Sequence, residues 1–325
     1  MKRAFVFILA ASLTACSVIG NGKSAQVKVE RNVLTDLQGS NGKVIAVKFD
    51  DTTYSHPQAG VEKADVVYVT QVEAGLTRLM GIYTSNYPEV LGPVRSARIS
   101  DIDILAQFGK VGFLFSGAQN KLRPVLAGAN LINLSAERNP PTIYFNDPHR
   151  TAPYAMMVKP NMLLEKASDA SLVQSVGWKH GPRSADAIKI SSATIRWPNA
   201  VYKATWSSSE KRFVLDHDNK PNLAASGIQL GSPMMVIQIV SIKPSQYGDK
   251  FGGITPKTTV TGQGIAYLLR NGTMTKVQWS RATAESPTQW TLADGTNANF
   301  ARGQVWIFLT DQEPSFKYPP IESKK

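Results

Sequence analysis

The sequence predicts an α/β (α+β) N-terminal domain, with a mixed sheet and helices, followed by an all-β C-terminal domain. Three observations lead there. Before residue 177, runs rich in β-branched and aromatic residues alternate with segments of helical period. After residue 186 the helical period disappears and only strand-like runs remain. Between two of those runs stands Asn271-Gly272, a pair that suits a two-residue hairpin turn because both positions need positive φ.

Taken in order, the chain begins with "MKR", a positive segment, and "AFVFILAASLTA", a short apolar core ending in small residues. Residues 1–15 read as a signal peptide, well short of the ~20 apolar residues of a membrane span. Cys16, the only cysteine, follows at once. "LTAC" resembles a bacterial lipobox, which implies that the Cys16 sulfur takes a diacylglyceryl group with acyl chains such as palmitate. A thiolate is the right nucleophile for that alkylation. With one cysteine there is no disulfide within the chain. Residues 16–42 are polar with scattered glycine and read as a tether.

Residues 43–180 are expected to form the α/β domain. "KVIAVKF" (43–49), "DVVYVTQV" (65–72) and "TRLMGIYT" (77–84) have strand composition, and Gly75 marks a hairpin between the last two. "SARISDIDILAQFG" has the spacing of a helix, with Gly109 as its stop. "VGFLFSG" (111–117) reads as a buried strand, and residues 161–176 as a second helix behind Pro160. Residues 177–186 read as a linker. Residues 187–325 are expected to form the β domain, through "YKATW", "KRFVL", "MMVIQIVSI", "GIAYLLRNGTMTKVQW" and "QVWIFL". Each domain is expected to unfold cooperatively alone, with the linker the segment most open to proteases.

The chain of 325 residues carries 36 Lys+Arg against 24 Asp+Glu, a formal charge of +12 that suits anionic partners. Nucleic acid is not expected, because no zinc finger or RNP-type motif is present and the basic residues are dispersed. No G-x-S-x-G elbow surrounds Ser116, and with only four histidines, no H-E-x-x-H and one cysteine, no metal site of standard type is expected. "DHDNKPN" (216–222) begins like a calcium loop, but Pro221 stands where glycine belongs and no glutamate closes it. It reads as a strand-end turn. No cofactor is expected.

Candidate site residues gather around the predicted strand ends, where α/β folds place ligands. Asp50-Asp51 follows the first strand, with His56 close behind, and Glu73 and Arg78 flank the hairpin. "GPVRSAR" (92–98) sets Arg95 and Arg98 around Ser96 at a loop-to-helix junction. Ser96 or Ser100 is expected as the helix N-cap. Two cations at a helix N-terminus oppose its dipole, so a negative partner should lie close. It is either internal (Asp50, Glu73 or Asp101) or an external anion. Arg95 is expected to be clamped internally, and Arg98 to help bind an anion with Ser96 and Arg78.

These motifs resemble the YerB-like lipoproteins of Gram-positive bacteria, a family built on domains of unknown function. "HPQAGVEKADVVY" (56–68), "VEAGLTRLMGIYTS" (72–85), "GPVRSARISDID" (92–103) and "LFSGA" (114–118) carry the resemblance in the first half. "GIAYLLRNGTMTKVQWSRA" (264–282), "PTQWTLADG" (287–295) and "ARGQVWIFL" (301–309) carry it in the second. The resemblance implies an α/β domain followed by a β domain on a lipid anchor, and no settled activity. The family's Arg-x-Ala-Pro-His-Asn segment is altered here: Arg150, Ala152 and Pro153 match, while Tyr154 and Ala155 replace His and Asn.

The expected protein is therefore exported and anchored by lipid on the outer face of the bacterial cell membrane. Its first functional reading is non-catalytic, binding an anionic ligand or a cell-envelope protein partner at GPVRSAR. The alternative is a cell-envelope hydrolase with Asp50 or Glu73 as acid/base. The sparse histidines and the missing nucleophile motif favour the first.

Overall fold

A computed structural model describes residues 29–249 and 252–320. Cys16 and the signal segment lie outside the described residues. Strand accounts for 43% of the structure and helix for only 11%, so the N-terminal half holds far less helix than its sequence pattern predicts.

The N-terminal half contributes β1 (Ile45–Asp50), β2 (Val66–Gln71), β3 (Thr77–Tyr83), α1 (Ile99–Ala106), β4 (Val111–Leu114), α2 (Arg123–Gly128) and β5 (Leu131–Asn133). β2 and β3 form the expected hairpin through Ala74 and Gly75, both at positive φ. The expected helix ending at Gly109 is α1, two turns long. The second expected helix is absent. A 3-10 turn, Pro160–Leu163, leads into further turns, and residues 171–173 then run extended. There Val44 N–H bonds Ser171 O and Val173 N–H bonds Gly42 O, so tertiary backbone bonds replace helical ones. Ser168, Asp169 and Ser171 weaken the helix further, because their side chains compete for nearby backbone.

The C-terminal half is all β among the described residues. Its main strands are β6 (Ser192–Trp197), β7 (Ala200–Ser207), β8 (Arg212–His217), β9 (Met234–Ile239), β10 (Ser241–Gly248), β11 (Ile254–Thr259), β12 (Gly262–Arg270), β13 (Thr273–Arg281), β14 (Gln289–Thr291), β15 (Val305–Thr310) and β16 (Ser315–Lys317). Asn271 and Gly272, at φ 52° and 67°, turn β12 into β13 as expected. Residues 216–222 are the strand-end turn, with Lys220–Pro221 folding back on β8.

The two halves share one sheet. Its order is β14-β13-β12-β9-β15-β2-β3-β1-β4-β5, and the parallel pair β15–β2 joins the halves (Val66↔Val305 to Val69↔Phe308). The central strands are buried on both faces, which is why they read as continuous apolar runs. Alternate side chains serve different layers. Phe49, Val67 and Trp306 face a second sheet built on β8-β7-β6-β16 and meet Tyr202 and Phe213 there. Ala46, Val66 and Ile307 face the opposite way, toward Ile104 and Leu105 of α1. The 177–186 segment is partly tied in: Trp178 stacks on Phe300 at 4.9 Å, and Lys179–His180 pairs with Asn299–Phe300.

Candidate functional site

β1 ends on two carboxylates, and the alternation of the strand sends them apart. Asp50 turns toward GPVRSAR, whose backbone runs beside β1 through Arg95 N–H→Lys48 O. Its Oδ1 accepts the Thr52 N–H at 2.8 Å and the Thr52 hydroxyl at 2.6 Å, and Arg95 ion-pairs with its Oδ2. Glu73, in the β2–β3 turn, receives Arg98 in a two-point fork: Nε to Oε1 at 2.7 Å and Nη2 to Oε2 at 2.8 Å. Thr255 of β11 also donates to Glu73 Oε1. Burial alone would raise the Glu73 pKa. The Arg98 guanidinium and the Thr255 hydroxyl outweigh it and hold the carboxyl below its ordinary value.

Arg78, on β3, is buried and donates to Ser96 O at 2.8 Å. Its pKa is pushed down to about 9 by burial and by the charges of Arg98 and Arg95, against the pull of Glu73 and Asp50. A guanidinium stays charged regardless at neutral pH, so Arg78 is a buried charge set beside two other guanidiniums and two carboxylates. Ser96 Oγ lies 3.3 Å from Ser116 Oγ. The structure thus brings Asp50, Glu73, Arg78, Arg95, Ser96 and Arg98 together as expected from sequence. It differs over Arg98, which is clamped internally as fully as Arg95, because the Glu73 carboxylate matches its fork. The helix cap differs too. Arg98 occupies the N-cap position without a side-chain cap, and Asp101 Oδ2 instead accepts the Arg98 N–H at 2.7 Å.

Beyond Arg95 opens a cleft of about 620 Å³ lined by Tyr54, His56, His149, Arg150 and Tyr154, among others. Arg95 donates to Pro153 O at 3.3 Å, and its guanidinium lies 5.4 Å from the Tyr154 ring centroid. Tyr54 and Tyr154 face each other at 5.4 Å. Arg150 is held by Asp147 at 3.2 Å and by the carbonyls of Ser55 and Pro57. Three segments far apart in sequence, around His56, Arg95 and Arg150, therefore meet at one opening. The sequence supplied no sign of the convergence itself, because the Arg95–Pro153 contact spans 58 residues.

Asp51 points the other way, into the seam between the two sheets, and its side chain is fully buried. Thr77 donates to its Oδ2 at 2.5 Å, Gln58 to its Oδ1 at 3.2 Å, and the Tyr202 hydroxyl lies within 2.9 Å of both oxygens. His56 Nε2 is 3.4 Å from Oδ1 and His217 Nε2 is 3.7 Å from Oδ2. The two imidazoles stack at 4.9 Å and 14°. Burial would raise the Asp51 pKa, yet His217, His56 and Thr77 hold it below its ordinary value. Burial likewise would lower His56, and Asp51 outweighs it to raise His56. Sequence reading set Asp51 and His56 side by side but missed His217 and Tyr202, which lie in the other half of the chain.

A family model described as the N-terminal domain of a protein of unknown function (DUF3048) matches residues 33–173. The corresponding C-terminal domain matches residues 193–307. "Putative lipoprotein YerB" of Bacillus subtilis (strain 168) is 31% identical over 94 residues, spanning 29% of this chain and 28% of that protein. The crystal structure of YerB protein from Bacillus subtilis superposes with a TM-score of 0.72 at 17% identity, covering 88% of this chain and 99% of that one. At that identity the likeness speaks for the fold alone.

Proposed function

The chain belongs to the two-domain YerB-like family of unknown function, and from that premise we propose an exported, lipid-anchored cell-envelope protein that binds an anionic ligand without catalysis. The relative's name supports the lipoprotein reading. The lipobox-like "LTAC" supplies the candidate residue, Cys16, and supports a position on the outer face of the membrane. A diacylglyceryl group brings two acyl chains, enough for stable anchoring, and a basic chain adds attraction to anionic lipid.

The observation that carries the ligand class is the charge surplus at the cleft's edge. Three guanidiniums (Arg78, Arg95, Arg98) face two carboxylates (Asp50, Glu73), and Arg95 links that surplus to the cleft wall at Tyr154. The exposed His149 and the Arg150 side chain, the latter paired with Asp147, offer N–H donors across the opening. The hydrolase alternative is weaker, because a Glu73 carboxyl held low by Arg98 carries no proton to donate near neutral pH, and Arg98 and Thr255 already engage the oxygens a general base would use.

The test uses the full chain carrying Cys16→Ser, which on the anchor reading is recovered in the soluble exported fraction. Inorganic phosphate at fixed ionic strength should raise its melting temperature. The added variants Arg95→Gln and His149→Gln should each shrink that increment. A wild-type cleft with no phosphate-dependent shift against a chloride control refutes the ligand class. Unchanged membrane fractionation of Cys16→Ser refutes the anchor.

A further inference from the structure

We infer that Asp51, His56 and His217 form a binding site for a divalent transition metal, zinc by preference, at the seam between the two sheets. The inference is independent of the anion reading. It rests on geometry first. One ligand atom from each residue lies within 4.8 Å of the others, on side chains that are buried or nearly so. Zinc bonds to imidazole nitrogen and carboxylate oxygen imply ligand-to-ligand edges of about 3.4 Å in a tetrahedron. Asp51 Oδ1 lies 3.4 Å from His56 Nε2 and Oδ2 lies 3.7 Å from His217 Nε2, so each carboxylate oxygen already stands near that spacing from one imidazole. The three ligand atoms, now within 4.8 Å of one another, would draw in toward a bound ion.

The second observation is an unsatisfied atom. His217 is 6% exposed, and its Nε2, the atom facing Asp51, has no hydrogen-bond partner among the described residues. A buried polar atom in that state carries a desolvation cost, which a metal bond would relieve. The carboxylate is also prepared. An ionised carboxylate offers about four lone-pair sites. Thr77, Gln58 and the single Tyr202 proton fill three of them, which leaves one toward the imidazoles. Those three donors fix the carboxylate in the manner of outer-shell partners at metal sites. Asp218 Oδ2 stands 3.8 Å from His217 Nδ1, on the side where such a ligand usually finds its orienting carboxylate.

Two imidazoles and one carboxylate suit zinc or a neighbouring first-row ion and not the all-oxygen preference of calcium or magnesium. Three protein ligands leave one position open. His56 and His217 both line a cavity of about 250 Å³ with Thr53, Lys220 and Asn222, and that cavity gives the fourth position a route to water. Asp51 and His56 come from one half of the chain and His217 from the other, so the metal would also staple the halves together.

The experiment titrates Zn²⁺ into the full chain carrying Cys16→Ser and no polyhistidine tag, by calorimetry and by thermal melting. One saturable site per chain is expected, with a raised melting temperature and X-ray absorption showing imidazole scattering in a nitrogen and oxygen shell. His56→Gln and His217→Gln should each weaken binding at least about tenfold. Near-UV circular dichroism checks that each variant is folded. Should His217→Gln fail that check, the rim position His56 decides, and should both fail, the wild-type absorption spectrum decides. No saturable binding, equal binding in both folded variants, a shell without imidazole, or an equal response to Mg²⁺ overturns the site.

Discussion

At the scale of single residues, the arginines of GPVRSAR answer to different carboxylates. Arg98 and Glu73 are 12% and 7% exposed and bonded at two points, so removing one partner strands the other in a nearly dry environment. We expect Glu73→Gln to cost about 3 kcal/mol or more in denaturant unfolding. The pH dependence follows from the sign of the shift. The folded carboxyl titrates below its ordinary 4.5, so the folded state binds fewer protons there than the unfolded one. Its contribution is complete above 4.5 and is lost as pH falls through the depressed value. The stability gap between wild type and Glu73→Gln should therefore narrow between pH 5 and pH 3. A gap that holds constant over that range would mean the fork contributes no titrating stability. Sequence made these six residues legible as a group, because strand ends and a loop-helix junction are recognisable locally. It could not assign the partners, since Glu73 reaches Arg98 across 25 positions and Thr255 across 182.

At the scale of elements, α1 depends on a buried charge pair more than on its length. Eight residues make a marginal helix in isolation. Asp101 serves it twice, accepting the Arg98 N–H and pairing through Oδ1 with Lys48 Nζ at 2.6 Å. Both side chains of that pair are fully buried, with Thr70 Oγ1 at 3.1 Å from the ammonium. Burial lowers the Lys48 pKa and Asp101 opposes it. Asp101→Asn should accordingly destabilise by about 3–5 kcal/mol, more than Glu73→Gln if exposure governs the cost. Urea midpoints of the two variants at pH 7 compare them directly, and an Asp101→Asn loss under about 1 kcal/mol would show the lysine finding another partner. The strands were readable because β-branched runs and the Asn271-Gly272 turn are local signals. The 161–176 segment was misread because Leu163, Ala167 and Ala170 do keep a helical spacing of buried residues. Its end is drawn into backbone bonds with residues 42, 44 and 110 that no local pattern announces.

At the scale of the whole molecule, the shared sheet bears on how the chain unfolds. The sequence pattern suggests two units, and the two family models divide the chain between residues 173 and 193. Yet β15 from the C-terminal half lies between β9 and β2, hydrogen-bonded to both. Separating the halves at the linker would leave β2 as a six-residue edge with open N–H and C=O groups, the kind of edge that aggregates. It would also strip Asp51 of the Tyr202 hydroxyl and open the contact of β2 with Trp306 and Phe308. Two partly dependent halves of this kind should unfold together, because neither buries its central strands alone. We expect one urea transition, coincident by tryptophan fluorescence and far-UV circular dichroism. Tryptophan reports chiefly on the C-terminal half, since all but Trp178 of the six lie beyond residue 190, while circular dichroism sees both halves. Trypsin should still cut within the linker at the exposed Arg183, but the nicked halves should stay associated on a sizing column. A residues 16–186 fragment expressed alone should lack a cooperative transition. If that fragment instead unfolds cooperatively, or the two probes separate, the β15–β2 pairing is a docking contact between autonomous domains and not part of a common core.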